Sequence, residues 1–140
     1  MANRTYNVFK RNLAQGLEDL EAGDYRALLL VSTVDDDPDY TTVAAAVAAN
    51  TEASDGSYAR QTVDNPVVSV EHANDRAVIS VDDIDFGALD NETPTAVLIY
   101  RHVTTDSDSI PCIIVTGGMG VASNGAGYMV TFPNGVARVE

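Results

Sequence analysis

The stretch TAVLIYRHV, Thr95 to Val103, decides how the chain folds. Five of its nine residues are β-branched or aromatic, and its first charge is Arg101. Pro94 precedes it, and the polar run Thr104 to Ser109 follows. So short and apolar a run between turn-forming residues predicts a strand buried on both faces. Alternation places Ala96, Leu98 and Tyr100 on one face and Val97, Ile99 and Arg101 on the other. A second apolar run, Ile110 to Thr116, follows the polar turn and predicts its hairpin partner.

Outward from this pair, Tyr25 to Val34 (YRALLLVSTV) reads as a long strand. Asp37 as a cap and Pro38 at the first helical position predict a helix that takes in the alanine-rich Thr41 to Ala49. After Asn50 the pattern is β throughout. Short strands are expected at 58–63, 67–71 and 77–81, and the acidic 82–91 stretch is anchored by Ile84, Phe86 and Leu89. A last hairpin, 127–132 with 136–139, is expected around Pro133-Asn134-Gly135. Residues 3–23 fit either a short helix or an extended arm, because Gly16 interrupts the near-helical spacing of Val8, Phe9, Leu13, Leu17 and Leu20. The expectation is a mainly β protein: one β-sandwich domain over 1–140, jelly-roll-like, of about eight strands with one short helix and an N-terminal arm over about 1–23.

Composition narrows the function. Eight basic residues against 21 acidic ones give a net charge of −13, which argues against a nucleic-acid partner and against anionic membranes. Apolar runs are too short to span a bilayer, and the N-terminus lacks the apolar core of a signal peptide. The charge is uneven. Arg4, Lys10 and Arg11 precede the first acid, Glu18, and the rest of the chain sets five arginines against 21 acids. A basic arm can fold back on its own acidic body or dock on a neighbour. In the second case Arg4, Tyr6, Phe9, Lys10 and Arg11 are the candidate partner contacts, and residues 1–11 should be removable without unfolding the domain.

No motif names a reaction. Asp35-Asp36-Asp37-Pro38-Asp39 offers oxygens to calcium but lacks the glycine and distal glutamate of a helix-loop-helix calcium site, so a solvated turn is expected. Asp82, Asp83 and Asp85 fit a hydrated face. The glycine-rich 116–120 and 124–127 stretches have no Lys-Ser/Thr after them and read as loops. His72 and His102 stand apart, with no nucleophile-elbow pattern nearby. Cys112, the single cysteine, is expected to be a buried, inert thiol. No catalytic residue, cofactor or metal is assigned; the function expected is that of a surface.

Several segments carry a family resemblance: Leu13 to Leu17, Tyr25-Arg-Ala-Leu-Leu-Leu30, Thr41-Thr-Val-Ala44, Gly56-Ser-Tyr-Ala-Arg60, Asp83 to Phe86, Ala96 to Arg101, and Pro133-Asn-Gly-Val-Ala-Arg138. Together they resemble the capsid cement or decoration proteins of tailed phages, of the jelly-roll cementing kind. The resemblance implies a jelly roll made in the host cytoplasm and placed on the outer surface of the virion. It implies homodimers, with trimers as the alternative, bound to the major capsid protein. A tail- or fibre-associated β binding module, or a jelly-roll hydrolase, are the competing expectations.

Overall fold

A computed structural model describes residues 3–139. Residues 1, 2 and 140, which the single-domain expectation includes, lie outside them. The described chain is mainly β, with antiparallel sheets in a β-sandwich arrangement. The expected central strand is β8, Pro94–Arg101, flanked by β2, Tyr25–Val31, and β9, Ile110–Val115. Ala96 to Tyr100 are all buried, Ile99 among them, as a strand covered on both sides requires.

Two-residue strands finish this sheet. β1, Arg4–Thr5, pairs with β9, and β3, Thr51–Glu52, and β4, Gln61–Thr62, share the outer edge of β2. Between β3 and β4 the Tyr58 hydroxyl accepts from Leu29 N at 3.1 Å, and Ala53 N donates to Leu29 O at 3.0 Å. The edge of β2 is thereby satisfied without one continuous partner strand. In β9, Pro111 lacks an N–H, and the β8–β9 register slips beside it, so that Ile99 faces Ile113 while Tyr100 faces Pro111.

Register separates the two faces of the large sheet. Leu28, Leu30, Leu98 and Ile114 share one with Tyr100. Helix α2, Val43–Ala48, is tied to the same end of the sheet: Val43 N donates to Ser109 O at 3.0 Å and Ala44 N to Asp106 O at 2.9 Å. Arg60 lies over the Tyr100 ring and forms ion pairs with Glu52 and Asp106. Thr42 caps α2, its Oγ1 accepting from Ala45 N at 3.2 Å. This corrects the expected cap at Asp37, whose side chain instead accepts from Asp39 N and closes a turn.

The opposite face carries Ala27, Leu29, Val97, Ile99, Ile113 and Val115. Helix α1, Asn7–Ala14, packs against β9 and puts Val8, Phe9 and Asn12 inside. At the end of this face Glu18, its side chain fully buried, accepts from Tyr25 Oη at 2.7 Å, Arg101 Nε at 2.9 Å and Asn12 Nδ2 at 3.0 Å. The two smaller sheets follow. β7, Ile84–Ala88, pairs with β10, Gly127–Val130. β5, Val67–Glu71, pairs with β6, Arg76–Ser80, which pairs with β11, Ala137–Val139.

The expected hairpin of 127–132 with 136–139 is therefore not formed; its two strands belong to different sheets. Gly135 explains the divergence. Its φ of +75° turns the chain, and Val136 N donates to Ile79 O at 2.8 Å, so the strand after the turn is captured by β6. The described residues hold eleven strands, where about eight were expected, because the two-residue edge pairings carry too little pattern to be read. They hold two α-helices, because residues 7–14 settle as a helix.

Candidate interaction surface

The N-terminal segment divides the expected partner contacts. Tyr6 is 1% exposed and Phe9 0%, both inside this domain's own core. They are corrected from partner anchors to core residues, because β1 pairs with β9, Tyr6 N donates to Cys112 O at 2.9 Å, and the helix after it turns Phe9 inward. Arg4 is spent on the protein's own acidic loop, Nε lying 3.1 Å from Asp36 Oδ2. Lys10 and Arg11 are exposed residues of α1.

The acidic 35–39 turn is internally committed. Asp35 accepts from Asp37 N and Tyr40 Oη, Asp37 from Asp39 N, and Asp39 from Asn7 Nδ2. The Tyr6 hydroxyl is buried without a partner; burial first, then the negative charge of Asp36 and its neighbours, pushes its pKa above the ordinary range. Among the described residues no cluster of three or more His, Cys, Asp or Glu is placed to hold a metal. Asp82, Asp83 and Asp85 are exposed, and each accepts a local bond: from Asn65 Nδ2, Phe132 N and Gly87 N.

His72 lies in a 3-10 turn between β5 and β6, whereas His102 follows β8 and is tied by its backbone N to Asp24 O at 2.8 Å. Cys112 is buried, and desolvation holds its thiol well above the ordinary pKa. The glycine-rich 117–127 region lines an open cleft of about 720 Å³ with Val130 and Phe132. No helix among the described residues is long and apolar enough to cross a membrane.

The surface that sequence reasoning missed is the three-stranded sheet. Register places Val68, Val70, Ala77, Ile79, Ala137 and Val139 on one face. Ile79 and Ala137 are buried, but Val68, Val70 and Val139 stand in solvent, Val70 at 66%. Val67, on the other face of β5, is 55% exposed. β5 ends its sheet, so its outer backbone edge has no partner strand among the described residues. Its run Val67-Val-Ser-Val70 is uncharged and regularly paired, with Pro66 just before it and Glu71 as the last residue of the strand. The available signal was that valine run, but alternation does not tell a strand buried in its own domain from one covered by a partner.

No protein-family model, no curated protein and no solved structure matches this chain.

Proposed function

We propose that this chain is a virion structural protein that decorates and cements a capsid shell by binding the major capsid protein, acting as a homodimer rather than as an enzyme. The observation that carries the reading is strand β5, whose three valines are each more than half exposed on a chain of net charge −13. Val68, Val70 and Val139 are exposed together on one face of this sheet, and an exposed apolar patch beside an edge strand supports a protein contact. A cement protein has such a cover in the assembled particle. Pairing of copies adds a second benefit, since each tethers the other and avidity raises residence by roughly 10²–10⁴ without new contacts.

The test is reconstitution. Shells lacking the protein are mixed with wild type or with a Val68→Lys/Val70→Lys variant, and occupancy and heat resistance of the shells are measured. Both side chains are solvent-exposed, so the variant keeps its fold, which circular dichroism checks. Wild type should bind and raise heat resistance, and the variant should do neither. No binding by wild type, or equal binding by both, refutes the reading.

A further inference from the structure

Strand β5 is bounded sharply at both ends. Asn65, at a φ of +47°, and Pro66 lead the chain into it, and the 3-10 turn His72–Asn74 leads it out to β6. Val67 to Val70 are all exposed, and the strand's one charge, Glu71, is held by Arg76 and Asn74 of the same chain. Between these bounds the sequence Val68-Ser69-Val70 reads the same in both directions.

Charge and register together select the occupant. Residues 67–80 and 137–139, which build this sheet and its tight turn, set Glu71 and Asp75 against Arg76 and Arg138, so the −13 of the chain is carried wholly by the rest. A second copy, repelled by the remaining surface, meets no net charge here. Two copies of one strand, paired antiparallel about a two-fold axis, must be centred on a residue, because directly opposed side chains share a face. Centring on Val68 sets Pro66, which has no N–H, opposite Val70 of the second copy. Centring on Val70 sets Val68 opposite His72, outside the strand. Only centring on Ser69 pairs Val67–Glu71 with its copy along the full length. That register puts Val68 of each copy opposite Val70 of the other, on the face that carries Val139.

We infer that the β5 edge pairs with the β5 edge of a second copy, antiparallel and centred on Ser69, so that two three-stranded sheets become one continuous sheet. The inference rests on the homodimer of the shell-binding reading and names the surface that makes it. Four valines close over the axis, and each outer β5 edge gains a partner strand.

The experiment uses the whole chain in the absence of shells. Sedimentation equilibrium should give twice the mass of the chain for wild type and the single mass for Val68→Lys/Val70→Lys, with the fold of each checked by circular dichroism. The seam contains no charge pair between copies while the bodies repel, so dimerisation should strengthen as salt rises. Cysteine scanning reads the register, since the native Cys112 is buried. Ser69 faces itself across the axis at a Cα separation of about 4.5–5.5 Å, within disulfide range, so Ser69→Cys should form a covalent dimer under air and copper phenanthroline. Val67 lies four residues, roughly 13 Å along the strand, from its own copy, so Val67→Cys should not.

A monomeric wild type, a dimer untouched by the two lysines, or a dimer that salt weakens each overturns the inference. Equal cross-linking of the two cysteine variants, or linking of Val67→Cys alone, overturns it as well. So does a lysine variant that stays dimeric yet loses shell occupancy, because the valine face then belongs to the shell protein. A Ser69-centred dimer that leaves shells unoccupied supports the seam and refutes only the cementing reading. Shell occupancy by a wild type that is monomeric off the shell does the reverse.

Discussion

Removal of residues 1–11 is expected to unfold the domain. The segment supplies β1 and the first part of α1, and it buries Tyr6, Val8 and Phe9. Losing a fully buried phenylalanine costs ~3–5 kcal/mol, and burial of Tyr6 and Val8 contributes ~1.5–3 kcal/mol each. The sum, roughly 6–11 kcal/mol, is as large as the total stability of an ordinary domain, ~5–15 kcal/mol. To that is added the exposed edge of β9 and its orphaned Cys112 carbonyl, which now accepts from Tyr6 N. The chain has six tyrosines and no tryptophan, so urea unfolding is followed by tyrosine fluorescence and far-ultraviolet circular dichroism.

Two point variants separate burial from backbone pairing. Phe9→Ala keeps β1 in place and should lower the unfolding free energy by ~3–5 kcal/mol. Tyr6→Phe removes only the unpartnered buried hydroxyl and should stabilise by ~1 kcal/mol, the cost of leaving such a group unsatisfied. A chain of residues 12–140 that unfolds at the wild-type urea midpoint would refute the reasoning, and the segment would then be a dispensable arm.

Three further outcomes are expected. In Gly135→Ala, the new Cβ would lie 2.6 Å from Val78 Cγ1 and 2.7 Å from Ile79 O at a φ of +75°, so a loss of ~1–3 kcal/mol is expected in urea; a loss below ~0.5 kcal/mol would mean the turn is not fixed by β6. Asp106 has its carboxyl held below its ordinary 3.8, first by the hydrogen bond from Arg60, so its contribution is complete above that value and is lost as pH falls through the lowered one; thermal melts from neutral pH to pH 2 should show this loss, and Arg60→Met should flatten it. Buried Cys112 should react with a thiol reagent only as fast as the domain opens, so its labelling rate should rise with urea in step with unfolding; immediate labelling in buffer would contradict its placement.

What was legible in the sequence was whatever carries a period. Tyr25 to Val31 and Pro94 to Arg101 are long enough for burial on both faces to leave an unbroken apolar run, and both are strands in the large sheet. Val67 to Glu71 matched its expected bounds because a turn closes each end. The two-residue strands have no period to detect. The partner of Val136 to Val139 is set by tertiary placement, with Val136 N donating to Ile79 O of β6 rather than to the strand before it in sequence. The site was harder still. Charge asymmetry drew attention to residues 4–11, but the decisive facts, that five of the eight basic side chains are ion-paired internally and that the valines of β5 are exposed, depend on tertiary placement.

The N-terminal segment shows how one short stretch can serve both core and contact. In extended form, residues 4–11 would present aromatics and cations together as one sticky patch. Coiling residues 7–14 into a helix sorts them by direction, because a 100° step per residue carries Phe9 inward while Lys10 and Arg11 emerge. Arg4 is removed from the account by Asp36. The cations left without an ion pair among the described residues come from two distant parts of the sequence, Lys10 with Arg11 on α1 and Arg138 on β11, where register turns Arg138 to the face opposite Ala137. Arg4→Ala should therefore loosen only the 35–39 turn, with a loss of no more than ~1 kcal/mol in urea, the ordinary worth of an exposed ion pair; a larger loss would mean that Arg4 does more than meet Asp36.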